Sequence, residues 1–426
     1  MYDDETLGAV RAQLERVAAY DFYGAKFDKA GIDPAAIDSW EDFRDVPFTT
    51  ADELEADFEA NPPEGSCYPG ESMICFTPMG DDLKPVFDTQ PDLEHMAAVN
   101  ATVFERAGIR RGDRVLNTFG YHLFGTGLLI HRGLEQLGAE VIPLGPGDSE
   151  QAASVIDEFD VDALIGNPSY ALKIGAAGGH VNRFVGAGEP FTSIPGLREE
   201  VKEALGCETA CDYFGSRQIL PVAAETTAED GLYVTTDYAL VEVVDPDTGE
   251  VVGPGNRGEL VVTHVKKEGA PLVRYRTGDL ADVGVRDGRV VLPNGVIGRT
   301  DGRLKVKGVK LYPEAVGLVL AGFDGLTGNY RLTVSRPDAT DHLAIVCEGR
   351  QTARNCGTPS QSVCSSNRTR SNSSQNSKTV PRSWTNATER PSTPRTVRPS
   401  RYPFIVRPPD TESTCPVTNP ASSEAK

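Results

Sequence analysis

At 426 residues with a formal net charge of −20, the chain is long enough for two folded domains and too acidic to attract nucleic acid through charge. No apolar run reaches the roughly 18 residues of a membrane span, and the opening stretch MYDDETLGAVRAQLERVAAYDFYG lacks the apolar centre of a signal peptide, so no membrane partner and a cytoplasmic location are expected. The cysteines offer one close pair, Cys207 and Cys211, and the histidines show no HxH or HxxxH spacing, so reduced thiols and no structural metal are expected.

In chain order, residues 3–19 place Leu7, Val10, Leu14 and Val17 at helical spacing and predict an amphipathic helix. Short helices follow to about residue 58, the last opened by a capping box at Thr50-x-x-Glu53. From Asp92 helices and strands alternate. Helices are predicted over 92–107, 128–137, 148–158, 169–175 and 197–205, and strands over 114–116, 140–143, 163–165, 183–185 and up to Tyr213. Strands separated by helices need crossover connections, which predicts an α/β fold with a mainly parallel sheet in a large N-terminal domain, residues 1–300. Ligands on such sheets sit beyond the carboxyl ends of the strands, so the loops at 117–124, 166–169, 186–190 and 214–218 form the candidate site.

Beyond residue 230 the helical spacing stops. Short strands over 231–235, 239–244, 259–265 and 272–275, with turns at 245–249 and 286–288, predict a β-rich subdomain over about 230–300. Residues 301–349 predict strand, loop and helix, then two antiparallel strands: an incomplete, small α+β C-terminal domain. At Arg350 the pattern breaks into Ser, Thr, Arg and Pro, and residues 350–426 are expected to be disordered for want of apolar surface. This tail holds 12 of the basic and 4 of the acidic groups, which leaves residues 1–349 with 30 basic against 58 acidic, a net −28. So acidic a body suits concentrated salt, a hypothesis that full folding without added KCl and no gain from it would remove. Two accounts of the tail stay open: a lost reading frame, which resequencing would settle, or a genuine basic extension.

Two acidic turns stand out in the stretch 271–313. Asp279 ends the run Val273-Arg274-Tyr275-Arg276-Thr277-Gly278, and Gly298-Arg299-Thr300-Asp301 follows. Short carboxylates beside glycines suit tight turns whose side chains meet a ligand's hydroxyls, and each alone reads equally as an ordinary hairpin turn. In this order and spacing, with AGIDP…W-x-DF…VPFTT near the start, they resemble the ribose-binding and hinge motifs of the adenylate-forming enzymes. These are the AMP-forming acyl-CoA ligases, and the phenylacetate-CoA ligase branch is the most similar, over about residues 20–349. The resemblance implies that Asp279 and Arg299 hold the ATP ribose. It also implies that Asp301 is the hinge on which the small C-terminal domain swings.

It implies further roles residue by residue. Gly188-Glu189-Pro190 would line the adenine pocket, unless it is a plain strand-to-helix turn. Thr77 to Pro85 corresponds to the phosphate loop: Gly80, Lys84 and Pro85 fit, while Asp81 and Asp82 stand where hydroxyl residues belong and Leu83 replaces a glycine. An exposed acidic turn without a ligand is the alternative. Phe214-Gly215-Ser216-Arg217-Gln218 matches Tyr-Gly-x-Ser/Thr-Glu, with Gln218 in place of the acid that helps hold Mg²⁺. Arg217 takes the hydroxyl's place, either against the α-phosphate or at the surface. Tyr121, His122 and Phe124 resemble the acyl-pocket loop, with His122 facing the substrate or acting as a hydrogen-bonded structural residue. Lys307, in the run 305–310, belongs to a loop for thioester formation or to a solvated basic face. The late lysine that serves adenylation in the family has no counterpart.

The expected cofactors and partners are ATP, Mg²⁺, CoA and a small-molecule carboxylic acid, aryl or aryl-acetic by resemblance. No nucleic acid and no membrane are expected, and a homodimer is an assembly that the sequence leaves open. A protein that binds AMP or an acyl-adenylate without turnover is the rival reading. A nucleic-acid binder acting through the basic tail is a third, which salt-insensitive binding would remove.

Overall fold

The computed structural model describes residues 2–79, 82–300, 304–306, 309–311, 316, 317, 320, 323, 326–335, 342–349 and 361–365, in two compact units, Met1–Asp301 and Gly302–Lys426. Four helices open the first unit: α1 (Asp4–Val17), α2 (Asp21–Ala30), α3 (Trp40–Asp45) and α4 (Ala51–Ala60). The predicted stripe Leu7, Val10, Leu14 and Val17 is buried, and Asp3 caps α1 by accepting the Thr6 N–H at 2.9 Å. Thr50 and Glu53 close the capping box of α4 as the spacing required.

An antiparallel hairpin, β1 (Met73–Met79) and β2 (Asp82–Asp88), was not foreseen. It replaces the loop expected over residues 77–85, because Thr77, Pro78 and Met79 pair in register with Lys84, Leu83 and Asp82. Then come α5 (Gln90–Arg106), β3 (Arg114–Asn117), α6 (Thr126–Leu137), β4 (Glu140–Ile142), α7 (Ser149–Glu158), β5 (Ala163–Gly166), α8 (Pro168–Ala176), β6 (Arg183–Gly186), α9 (Leu197–Leu205) and β7 (Thr209–Phe214). The alternation predicted from Asp92 onward is therefore present. Strands β4, β3, β5, β6 and β7 lie side by side in that order, all parallel. Successive residues face opposite layers: Leu164 packs with Ile156, Ile174 and Val201, and Ile165 with Phe104, Leu129 and Leu134.

The β-rich stretch comprises β8 (Ala223–Ala224), β9 (Leu232–Val234), β10 (Ala239–Val244), β11 (Arg257–His264), β12 (Tyr275–Asp282), β13 (Gly284–Arg286), β14 (Arg289–Leu292) and β15 (Val296–Arg299). It divides between two sheets. β8, β9, β14 and β13 extend the parallel block antiparallel beyond β7, giving a mixed sheet of nine strands. β10, β11, β12 and β15 form a separate antiparallel sheet of four.

The strand expected at 272–275 begins only at Tyr275, because Arg274 is diverted into the interior at φ 42°. Its guanidinium grips both Glu242 oxygens at 3.0 Å and donates to the carbonyls of Arg44 and Val46 at 2.5 and 2.7 Å. It lies 4.1 Å from the Phe48 ring centroid. Thr49 completes the seam, its N–H donating to the Arg274 carbonyl and its carbonyl accepting the Arg276 N–H. The N-terminal helical layer is thereby tied to the strand that carries Asp279.

In the second unit, β16 (Leu304–Val306) and β17 (Val309–Leu311) form a hairpin. The two strands expected there, β18 (Leu326–Ser335) and β19 (His342–Gly349), pair antiparallel. β20 (Gln361–Ser365) adds to β19, so at these five residues the tail is a strand rather than the structureless chain expected. A β-prone segment can satisfy its backbone on a sheet edge without burying a core of its own. Residues 350–360 and 366–426 lie outside the described residues, as do Gly80, Asp81, Asp301 and Lys307. No helix among the described residues is long and apolar enough to cross a membrane.

Candidate nucleotide-binding site

Asp279 and Arg299 meet. They are register partners on β12 and β15, and the Arg299 Nη1–H donates to Asp279 Oδ1 at 2.9 Å. Asp279 is thus mid-strand and not at a turn. The ladder shifts register between Glu259 and Val261, and Gly278 takes φ 76°, where a Cβ would stand 2.7 Å from the Arg299 guanidinium. The positive φ favours glycine there. Both side chains keep access to solvent, Arg299 at 33% and Asp279 at 17%.

The loop after β6 is held from two sides. Glu189 accepts the Ser169 N–H at 3.0 Å and the Ser169 hydroxyl at 2.6 Å, which places its charge at the N-terminus of α8. Thr192, further along, donates its N–H to Asp212 at 3.0 Å. Just before Glu189, Gly188 takes φ 77°, and a Cβ there would lie 2.7 Å from Asn167 Nδ2, whose amide donates to the Ala187 carbonyl. Pro190 follows in the same half-buried loop.

Phe214 ends β7 half-buried, and Gly215 is packed so closely on Leu220 that a Cβ would sit 2.9 Å from its Cα. Arg217 overturns both expectations for it: it is neither at the surface nor available to an α-phosphate. Its side chain is 5% exposed and its Nη2 donates to Asp88 Oδ2 at the end of β2. Lys267 donates to the other Asp88 oxygen and to the Phe87 carbonyl at 3.0 Å, and Asp92 lies 3.6 Å from the same ammonium. Burial alone would raise the Asp88 carboxyl, yet Lys267 and Arg217 together hold it below the usual carboxylate range. Gln218 is partly buried beside this cluster and lines a shallow cleft with Pro85, Phe87, Phe58 and Leu272.

On β2, Lys84 lies 3.4 Å from Asp82. The hairpin reaches the aromatic loop, where the Phe76 N–H donates to the Leu123 carbonyl at 3.0 Å. Tyr121 turns its hydroxyl inward to Asn117 at 2.8 Å and His131 at 3.0 Å, and burial pushes that phenol up to about 12. His122 is exposed and lies edge-on to Phe124 at 5.5 Å.

Two charged clusters escaped the reading of the sequence. One is the Asp88–Arg217–Lys267–Asp92 group. The other joins Arg198 to Glu225 through two bonds of 2.7 and 3.0 Å beside Asp212, where burial and then Glu225 push the Asp212 carboxyl up to about 7. The signals were faint: Thr89-x-x-Asp92 is a capping box, and Glu225 follows two alanines in an apolar run. Neither names its partner, which comes from more than 100 residues away in the first case.

No family model matches the chain. It is 34% identical over 370 residues to the phenylacetate-coenzyme A ligase of Thermus thermophilus, spanning 81% of this chain and 82% of that protein. To the phenylacetate-coenzyme A ligase of Escherichia coli it is 31% identical over 350 residues, 78% of each. Among solved structures, 2-hydroxyisobutyryl-CoA ligase in complex with its acyl-AMP superposes with a TM-score of 0.72 at 26% identity, covering 83% of this chain and 80% of that one.

Proposed function

The chain belongs to the phenylacetate-coenzyme A ligase family of AMP-forming acid–CoA ligases, and from that premise we propose the chemistry of its site. A carboxylate oxygen of the acid attacks the α-phosphorus of ATP, forming acyl-adenylate and releasing pyrophosphate. The CoA thiolate then attacks the acyl carbon and AMP departs, leaving the thioester. The observation that carries this reading is the Asp279–Arg299 pair, a carboxylate and a guanidinium 2.9 Å apart and open to solvent, suited to two vicinal hydroxyls of a ribose. Gly188 to Pro190 offers backbone to the adenine face, Phe214 its ring, and Lys84 a charge toward the phosphates. Asp301 is assigned as hinge and Lys307 to the thioester step on the family pattern alone.

The acid is aryl or aryl-acetic, a choice supported by the names of the relatives and by the aromatic loop of Tyr121 and Phe124. Mg²⁺, implied by the family, is not matched by these residues. Gln218 presents a neutral amide where an acid is needed, and its neighbour Arg217 is a buried cation. No step is therefore routed through a protein-held ion.

ATP–pyrophosphate exchange with aromatic and aliphatic acids, at high and low KCl, tests the proposal. Exchange that depends on an aryl acid is expected. AMP binding with no exchange for any acid would instead favour a nucleotide-binding protein without turnover, and absence of both would remove the reading.

A further inference from the structure

We propose that the buried Asp88–Arg217 ion pair, seated on Lys267, is a brace that positions the β1–β2 hairpin against the Gly215–Gln218 turn and takes the place of a carboxylate-anchored Mg²⁺. The inference deepens the nucleotide reading above and rests on it.

The charges at this loop are the starting point. Relative to the pattern it resembles, the loop exchanges a hydroxyl for a guanidinium at Arg217 and an acid for an amide at Gln218. A lone guanidinium in the interior would be very costly. Asp88 offsets that cost, and it does so from the last residue of the strand that carries Lys84. Lys267 then balances the second Asp88 oxygen, with Asp92 completing two charges of each sign, every one of them more than nine-tenths buried. Gln13 fixes Lys267 from behind, donating to its carbonyl at 2.6 Å.

The two elements that would face a triphosphate are thus joined by charges covalently fixed in the chain. An ion shared between carboxylate and phosphates would do the same joining elsewhere. Asp88, Arg217 and Lys267 are buried and bonded to one another, so they are positioning residues, acting through the hairpin and the loop. Their effect should therefore reach the β- and γ-phosphates and spare the nucleoside end, a distinction that a merely structural role would not make.

Calorimetric titration of ATP and AMP into wild type, Asp88→Asn and Arg217→Ser tests this. Each variant should lose about tenfold in ATP affinity, a change of about 1.4 kcal/mol, with AMP affinity held within about twofold. Arg217→Ser combined with Gln218→Glu should recover ATP binding only when Mg²⁺ is added, while wild-type affinity moves less than about threefold on chelation. Equal losses for ATP and AMP, no loss for either, or a wild type as dependent on Mg²⁺ as the double variant would overturn the brace. Circular dichroism reports folding; should Asp88→Asn unfold, Arg217→Ser decides, since it leaves Asp88 paired with Lys267. Wild type that fails to bind AMP removes the nucleotide reading itself, whereas AMP binding with unaltered ATP affinity in the variants removes only the brace.

Discussion

The Asp279–Arg299 and Asp88–Arg217 pairs join the same two residue types within one unit, and they differ in what surrounds them. The first sits on a cross-strand register with both side chains reachable from solvent. The second has 0% exposure at its carboxylate and 5% at its guanidinium, with a lysine against it. An open pair contributes little to stability because water screens it, so its groups can meet a ligand at small cost to the fold. A closed pair is committed to the fold, and removing its carboxylate leaves the buried Arg217 guanidinium without its counter-ion. Under the proposed function the same chemistry serves recognition in one corner, while in the other it serves architecture.

The sharpest way to break this contrast is truncation. Asp88→Ala should cost about 3–5 kcal/mol in urea unfolding, whereas Asp279→Ala should cost less than about 1 kcal/mol. Similar losses would erase the distinction. The open pair shows itself in binding: Asp279→Ala or Arg299→Ala should weaken AMP by about 1.5–3 kcal/mol in calorimetry, the range for hydrogen bonds to charged groups. Unchanged AMP affinity would take the sugar site elsewhere.

Asp212 sharpens the contrast from another side, through pH. Its carboxyl, pushed up to about 7, keeps its proton in the folded protein over a range where the unfolded chain has lost it. Ionising it costs stability as pH rises from the ordinary carboxylate range through about 7. Asp212→Asn should therefore gain on wild type across that window and hold a constant advantage above it, as denaturant midpoints would show. A flat difference would remove the raised Asp212 carboxyl. The smallest effect is expected at the loop before it: Gly188→Ala, forced to a positive φ against Asn167, should lose about 1 kcal/mol and weaken AMP slightly.

The sequence was most legible where one periodicity ran uninterrupted. The helices and strands from Asp92 to Phe214 repeat a single unit, and the apolar runs of β3, β5, β6 and β7 are dictated by burial on both faces. It was least legible at the β1–β2 hairpin, where Thr77, Pro78, Met79 and Asp82 through Pro85 show no alternation and pair only because each strand supplies the other's backbone partners. Asp279 and Arg299 were singled out through the resemblance of their two turns to a family motif, and their relation in the structure is a cross-strand register and not two turns. Arg217 was located correctly in its loop and misjudged in its surroundings. Its counter-ion lies 129 residues earlier, a separation that no local pattern encodes.

The seam at Arg274 has a consequence for how the chain can be cut. Its guanidinium takes the carbonyls of Arg44 and Val46, and Thr49 hydrogen-bonds on either side of Tyr275, four residues before Asp279. A chain begun after residue 50 would leave an interior guanidinium with two of its acceptors gone and the start of β12 without its neighbour. Proteolytic trimming of the first fifty residues, remote in sequence from Asp279 and Arg299, should thus silence the proposed sugar corner as surely as a lesion within it.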